Sequence, residues 1–147
     1  MSVPAEIESL IADAPVSAHL ATAVDDRPHV APVWYGYRDG TLYLMTGGRK
    51  LANVRENPRV AVSIEAARDG DVAWNVTLLG TATVSDDPDR IEWASGWIYD
   101  RYEDAADAAD ADESTGSRAD GGEADEGERA YALVEIEVGS ASWTTYE

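Results

Sequence analysis

Alternating apolar and polar positions run through most of the chain and predict β-strands. Three runs rich in Val, Tyr, Trp, Thr and Leu lie between residues 16 and 46, separated by Asp25-Asp26-Arg27-Pro28 and by Arg38-Asp39-Gly40. Such turn residues between alternating runs indicate an antiparallel three-stranded meander. One face of the first and third strands carries the residues that we expect in the core: Val16, Ala18, Leu20, Thr22, Val24, Leu42 and Leu44.

Two longer runs continue the period of two after residue 58. The segments "RVAVSIEAA" and "VAWNVTLLGTATV" place on one face Val60, Val62, Ile64, Val72, Trp74, Val76, Leu78, Ala82 and Val84. Gly80 interrupts the second strand, which favours a β-bulge or a barrel corner there. A closing strand carries Tyr131 and Leu133, and a final extended piece carries Trp143 and Tyr146.

Three helices are predicted between these strands. The first covers Val3 to Ala14, because Pro4 suits a first turn and Pro15 ends it. The second is short, has Leu51 and Val54 three residues apart, and ends before Pro58. The third opens at Asp86-Asp87-Pro88 and carries an apolar belt wide enough to pack against more than its own sheet: Ile91, Trp93, Trp97, Ile98, Tyr99 and Tyr102.

This order of elements predicts one domain over residues 1–147. Five strands, one closing strand and three helices indicate a mainly β fold, a small six-stranded antiparallel β-barrel with flanking helices. The exception is an acidic insertion at residues 103–128, which holds no large apolar residue. Such a segment cannot contribute to a core, so we expect a helix end that passes into a disordered, solvated acidic loop.

Charge narrows the possible functions. The 147 residues include 29 Asp and Glu against 11 Lys and Arg, a formal net charge of -18, and no cysteine. Binding to nucleic acid or to an anionic membrane needs clustered cations, so both are disfavoured, and thiolate chemistry is excluded. The chain opens with no basic and apolar leader segment, so we expect a cytoplasmic protein.

The distribution of charge suggests a halophilic source. Lys50 is the single lysine, and acidic residues are spread along almost the whole chain. At molar salt the Debye length is about 3 Å, so the repulsion between these carboxylates would be screened. An ordinary acidic protein with an acidic segment is the alternative.

One segment is typical of phosphate binding. In "MTGGRK", followed by "LANVRENP", a glycine turn leads into a helix whose first turn carries Arg49 and Lys50. Free amide groups, the positive helix end and two cations together bind a phosphate monoester well. A salt bridge to nearby carboxylates is the alternative.

The other chemical signals are weaker. In "VAPVWYGY", Pro32 interrupts a strand beside Trp34 and Tyr35, an arrangement that suits a planar heterocycle but also a packed edge strand. His19 and His29 have no short-spaced partner, so we interpret them as structural or surface residues and predict no metal site. The chain contains no G-x-S-x-G, H-E-x-x-H or Walker motif, and no side chain is identified as catalytic.

Between His19 and Val84, the chain resembles the pyridoxamine-phosphate-oxidase-like family of flavin-binding split β-barrels. The resemblance rests on "HLATAVDDRPHVAPVWY", "DGTLYLMTGGRKLANVRENPRVAVSI" and "WNVTLLGTATV". It implies a split barrel that forms a homodimer, with flavin mononucleotide (FMN) in clefts at the subunit interface. It also implies an oxidoreductase in which the flavin carries hydride or electron transfer.

The resemblance also implies roles for individual residues. Arg49 and Lys50 would hold the phosphate with help from Thr46, and the amide of Asn75 would contact the flavin. Met45 would also belong to the cofactor site. Trp93 and Trp97 would lie on a dimer-facing helix. The wall of the isoalloxazine would be formed by Val30, Ala31, Pro32, Val33, Trp34 and Tyr35.

The substrate, the coenzyme and the catalytic role itself each have an alternative that stays open. The C-terminal "VGSASWTTYE" lacks the arginine and histidine that the true oxidases use to hold the phosphate of their vitamin substrate, so we expect a different substrate. A deazaflavin coenzyme would use the same two cations as FMN. A non-catalytic flavin-binding or sensor protein is the rival from another class.

Overall fold

The computed structural model describes residues 3–12, 14, 16–109 and 131–146. Its elements alternate strands with three helices along the chain. In order they are α1 (Ala5–Ile11), β1 (Ala18–Val24), β2 (Arg27–Val33), β3 (Gly36–Arg38), β4 (Thr41–Thr46), α2 (Gly48–Glu56), β5 (Arg59–Arg68), β6 (Asp71–Ser85), α3 (Pro88–Ala109) and β7 (Ala132–Thr145).

The strands form an antiparallel sheet, as expected. The predicted number of strands and the predicted closure of the sheet into a barrel were wrong. Seven strands pair antiparallel in the order β2-β1-β5-β6-β7-β4-β3, and the described strands do not close the sheet. The arrangement with its flanking helices is consistent with a split barrel. The extra strand arises because the second predicted strand is divided into β2 and β3 at Trp34 and Tyr35.

The predicted three-stranded meander was also wrong, for the same reason. β2 pairs with β1 at one edge of the sheet, whereas β3 pairs with β4 at the opposite edge. Between them Tyr35 is fully buried, and its hydroxyl donates a hydrogen bond of 2.7 Å to the carbonyl of Ile11. The side chain of Tyr35 therefore turns inward where a continuous strand would have run on.

Core faces follow the predicted alternation closely. Ala18, Leu20, Val62, Ile64, Val76 and Leu78 are all buried on one side of the sheet. Helix α1 covers part of this core with Ile7 and Ile11, and is shorter than predicted because Pro4 is extended and stands at the N-cap.

Tyr37 fixes α1 to the β3–β4 hairpin: its hydroxyl donates to Glu8 Oε2 at 2.5 Å and accepts from the Gly40 amide at 2.9 Å. Burial and the adjacent Glu8 carboxylate raise the pKa of Tyr37 to about 12.

The predicted irregularity at Gly80 is confirmed. The register between β6 and β7 shifts there: Leu79 pairs with Ser140 and Gly80 with Val138, so Gly139 is the extra residue. A Cβ on Gly80 would lie 2.5 Å from the carbonyl oxygen of Glu137. The close approach of two backbones explains why this position is glycine.

At the start of β7 both faces of the strand are buried. Ala132, Val134 and Ile136 face the main core, while Leu133 packs beneath α3 with Ala94, Ile98 and Tyr102. Tyr131, which was predicted to lie in the closing strand, precedes β7 and is 45% exposed. Helix α3 ends at Ala109; residues 110–128 of the predicted acidic insertion lie outside the described residues.

Candidate cofactor site

The N-terminus of α2 follows directly from the end of β4. Thr46 is the last residue of the strand, Gly47 is extended at the N-cap, and Gly48 adopts φ +63°. An ordinary L-residue is strained at such a φ, so the second glycine is required by the turn. A Cβ built on Gly48 meets no atom within 4 Å, so the space in front of this turn is open.

The charged side chains at the N-terminus of α2 have the opposite sign to those usually found at a helix N-terminus. The first turn of α2 contains no acidic residue, and no side chain caps the helix. Instead the turn holds Arg49, which is exposed, and Lys50, which is half-buried. Cations near a helix N-terminus are unfavourable by themselves, because the helix dipole already makes that end positive.

The alternative of local salt bridges does not apply within the part of the chain that the structure describes. The ion pairs there join Arg55 to Asp86 at 3.0 Å and Arg90 to Glu135 at 2.8 Å. Neither pair includes Arg49 or Lys50. The N-terminal turn of α2 therefore combines two cations, the amides of a helix start and an open approach, an arrangement that can attract an anion.

Thr46 adds a polar group beneath this turn. The residue is 2% exposed, and within the described residues its Oγ1 atom has no hydrogen-bond partner. A buried hydroxyl without a partner is costly unless a ligand or water satisfies it. Thr46 therefore fits a site for an oxygen-rich ligand such as a phosphate.

Helix α2 packs against β1, the strand that pairs with β2. One turn after Lys50, Asn53 Nδ2 donates a hydrogen bond of 3.0 Å to Thr22 Oγ1 in β1. Thr22 pairs with His29 in β2, the residue before Val30. The N-terminal turn of α2 and the predicted wall segment thus belong to two elements that both contact β1.

The wall segment itself divides into exposed and buried side chains. Val30 is 63% exposed, Pro32 is exposed, Trp34 is 43% exposed, and Ala31 is half-buried. Val33 and Tyr35, by contrast, are buried in the core. A ligand on this surface would meet the side chains of Val30, Pro32 and Trp34, but not those of Val33 and Tyr35.

Two other predicted site residues lie apart from the anion site. Asn75 pairs with Thr144 at the end of β7, whereas Thr46 pairs with Ala132 at its beginning. The Nδ2 atom of Asn75 donates to the hydroxyl of Tyr146 at 3.3 Å. Met45 is half-buried and packs against the cluster under α3, on the face of β4 opposite Thr46.

The two predicted helix-surface tryptophans form a cluster with an arginine. Trp97 packs edge-to-face against Tyr43 and Trp93, and the guanidinium of Arg38 lies 3.8 Å from its ring centroid. Trp93 remains 41% exposed. This cluster fixes α3 to the β3–β4 hairpin and leaves one tryptophan at the surface.

Sequence reasoning did not identify two polar groups near the wall. His29 is half-buried, and within the described chain its Nδ1 atom is buried without a hydrogen-bond partner. Tyr102 was predicted only as part of an apolar belt, but its hydroxyl donates to the carbonyl of Val16 at 2.8 Å and accepts from the Tyr35 amide at 3.2 Å. No sequence pattern signals such long-range contacts.

A concave surface lies on the outer side of the sheet, around the Gly80 bulge and apart from the N-terminus of α2. It is an open cleft of about 650 Å³. Its lining is mainly small or apolar, with Arg59 as its charged member: Ala21, Thr22, Ala23, Pro28, Arg59, Val60, Ala61, Leu79, Gly80, Thr81, Gly139 and Ser140. Leu79 stands 53% exposed beside the bulge.

Two other kinds of feature, a metal site and a membrane-spanning helix, are not found in the part of the chain that the structure describes. Among residues 3–12, 14, 16–109 and 131–146, no group of three or more His, Cys, Asp or Glu side chains could hold a metal ion. In the same residues, no helix has the length and apolar character needed to cross a membrane.

Comparison with known proteins identifies relatives of this fold. A family model described as pyridoxamine 5'-phosphate oxidase matches residues 4–142. No curated protein sequence matches the chain. Solved structures do, at sequence identities that show the fold alone.

Three solved structures illustrate the match. A FAD-binding protein from Mesorhizobium loti is 20% identical with a TM-score of 0.65, covering 97% of this chain and 95% of its own. An F420 reductase is 21% identical with a TM-score of 0.65, covering 95% and 98%. A FAD and heme binding protein from Mycobacterium smegmatis is 20% identical with a TM-score of 0.67, covering 100% and 73%.

Proposed function

Because the chain belongs to the pyridoxamine 5'-phosphate oxidase family, we propose that it is an FMN-binding oxidoreductase. The observation that carries this proposal is the pair of cations at the N-terminus of α2, which has neither an acidic neighbour in its turn nor an ion-pair partner among the described residues. A phosphorylated cofactor explains why a strongly acidic protein places two cations there.

The residues present fit the phosphate end of FMN. Arg49 and Lys50 would neutralise the phosphate, and the amides of the α2 turn and the hydroxyl of Thr46 would donate to its oxygens. When bound, the flavin ring supplies hydride or electron transfer. Val30, Pro32 and Trp34 would exclude water from one side of that ring, and no side chain is assigned a proton-transfer role.

A direct test is cofactor binding by the purified protein. Mass spectrometry of the ligand released on denaturation identifies any cofactor that copurifies, and titration of stripped protein with FMN gives its Kd. We expect stoichiometric FMN with a flavin absorption band, and reduction of that band by a nicotinamide donor. Protein that binds neither FMN nor a deazaflavin would contradict the proposal.

The deazaflavin coenzyme is the second candidate. An F420 reductase shares this fold at a TM-score of 0.65, and a phosphate-bearing deazaflavin would also use Arg49 and Lys50. Parallel titrations with FMN and F420 separate the two by Kd and by the position of the bound absorption band. Reduced flavin that reacts with oxygen or a dye no faster than free FMN would instead favour a non-catalytic binding protein.

We further propose that the protein acts as a homodimer. Beside Arg59, the charged residue of the cleft, the outer surface of the sheet presents a group of uncharged side chains, here called the outer patch, although the chain has a net charge of -18. The outer patch consists of Ala21, Ala23, Pro28, Val30, Pro32, Ala61, Ser63, Thr77, Leu79, Ser140 and Ser142. An uncharged surface of this kind is typical of an interface core.

A dimer also addresses the separation of the site residues. Within one chain, Thr46 and Asn75 lie opposite the two ends of β7. A site that takes Arg49 and Lys50 from one copy and Asn75 from the other would unite them.

We place this dimer in the cytoplasm of a halophilic organism, where high salt would screen its acidic surface. Pyridoxamine phosphate is not proposed as its substrate.

The variant Leu79→Asp tests the dimer. Its carboxylate would be buried without a partner at the centre of the interface, so we expect a monomer in which the wild type is a dimer. Light scattering coupled to size exclusion measures the mass, and circular dichroism checks the fold. Thr83→Asp is the matched control, because Thr83 is exposed on the same strand but outside the outer patch. A dimeric Leu79→Asp variant would count against this interface.

A further inference from the structure

The corner between β2 and β3 is held by one residue of α3. Trp34 and Tyr35 belong to neither strand. The Tyr102 hydroxyl accepts a hydrogen bond from the Tyr35 amide at 3.2 Å and lies 3.3 Å from the Tyr35 carbonyl oxygen. It also donates to the carbonyl of Val16, which precedes β1, at 2.8 Å. Tyr102 thus connects two chain segments at the point where the backbone passes from β2 to β3.

The ring of Tyr102 fixes the side chain at the same corner. The Trp34 indole lies parallel to it, with ring centroids 4.4 Å apart and an interplanar angle of 2°. Tyr99, one turn earlier on α3, meets Trp34 edge-on at 5.6 Å. Tyr102 is 6% exposed, whereas Trp34 keeps 43% of its surface exposed. The Trp34 indole is therefore held by stacking on Tyr102, and its remaining surface is open to solvent.

We propose that Tyr102 is a positioning residue for the cofactor, holding Trp34 and the Tyr35 amide in place as the wall for a planar ring. The inference rests on the proposed function, and the ligand class is the isoalloxazine or deazaflavin ring. A supported, open indole face suits a flat aromatic ring because the geometry of stacking is fixed before the ligand arrives.

A purely structural role for Tyr102 would have different consequences. A buried ring alone would anchor α3, and the loss of its hydroxyl would lower stability without changing a bound ring. The hydroxyl of Tyr102 instead contacts the backbone of Tyr35, the residue that follows the exposed indole, and the backbone of Val16. The test must therefore separate ring binding from stability.

The experiment compares Tyr102→Phe with Tyr37→Phe in the full-length protein. Tyr37 is the matched control, because its buried hydroxyl also makes two hydrogen bonds, but to Glu8 and Gly40. In Tyr102→Phe without ligand, we expect amide hydrogen exchange at Tyr35 to accelerate about tenfold, the equivalent of one lost hydrogen bond. With FMN, we expect the Kd to rise about fivefold, the size of a perturbed stacking contact.

A spectroscopic signature completes the test. Stacking on an indole quenches flavin emission, so bound FMN should be brighter in Tyr102→Phe and in Trp34→Leu than in the wild type and Tyr37→Phe. Trp34→Leu should keep slow exchange at the Tyr35 amide, because the Tyr102 hydroxyl is retained.

The outcomes distinguish this role from the proposed function. Normal FMN binding by the wild type, with unchanged Kd and emission in Tyr102→Phe, overturns the positioning role alone. Equal changes in Tyr102→Phe and Tyr37→Phe also overturn it, because they would reflect stability only. A wild type that binds neither FMN nor F420 overturns both the function and the role of Tyr102.

Discussion

Simultaneous replacement of Arg49 and Lys50 by alanine is expected to weaken FMN binding by a hundredfold or more. Hydrogen bonds to charged groups contribute about 1.5–3 kcal/mol each, so the loss of two such donors removes about 3 kcal/mol or more of binding free energy. The effect is large because the acidic protein offers the phosphate little other positive charge: the chain has 11 Lys and Arg in 147 residues. Fluorescence titration with FMN measures the change.

The matched control for the double variant is Arg55→Ala. Arg55 lies on the same helix but in its last turn, where its partner is Asp86. We expect FMN affinity within about twofold of the wild type for this variant, because an exposed ion pair contributes little. Undiminished FMN binding in the double variant would refute the assignment of the phosphate to α2. The double variant itself should fold normally, since it removes two cations from a positive helix end.

Gly80→Ala is expected to cause a large loss of stability for the addition of a single methyl group. Its Cβ would lie 2.5 Å from the Glu137 carbonyl oxygen and 2.7 Å from Ile136 Cγ2. The backbone of β7 cannot move away without breaking its pairing on both sides. We expect the free energy of unfolding to fall by about 2–3 kcal/mol, which corresponds to a decrease in Tm of about 6–12 °C for a domain of this size.

Gly139→Ala provides the control at the same bulge. A Cβ on Gly139 would meet its nearest atom, the Leu79 carbonyl oxygen, at 3.6 Å, which is an ordinary contact distance. Its Tm should change by no more than about 2 °C. Calorimetric unfolding of both variants measures the difference. Equal Tm values for Gly80→Ala and the wild type would show that β6 and β7 separate freely at this bulge.

Local sequence signals predicted individual elements better than the order of the strands in the sheet. The glycine turn and the apolar positions Leu51 and Val54 are neighbours in sequence, so a single stretch contains the whole signal for α2. The bulge at Gly80 could also be predicted, because one glycine interrupts a clear alternation. In each case the physical cause lies within a few residues of its effect.

Features that depend on distant partners could not be predicted. Tyr35 ends β2 because its hydroxyl reaches the carbonyl of Ile11 on α1, and nothing in the local alternation encodes that contact. The separation of Asn75 from Thr46 follows from the register of β7 with two different strands. The family resemblance supplied roles for these residues but not their positions relative to one another.

The position of β2 at the edge of the sheet affects how copies of the chain can meet. Alternate residues of an edge strand direct their amides outward. Pro28 and Pro32 have no N–H to donate to β1, so they suit the outward positions of β2, and Val30 lies between them with the same alternation. Because proline has no N–H, Val30 is the remaining donor among these three. Such an edge is a poor template for adding a foreign strand. Association through the flat faces of the sheet is thereby favoured over the edge-to-edge growth that leads to fibres.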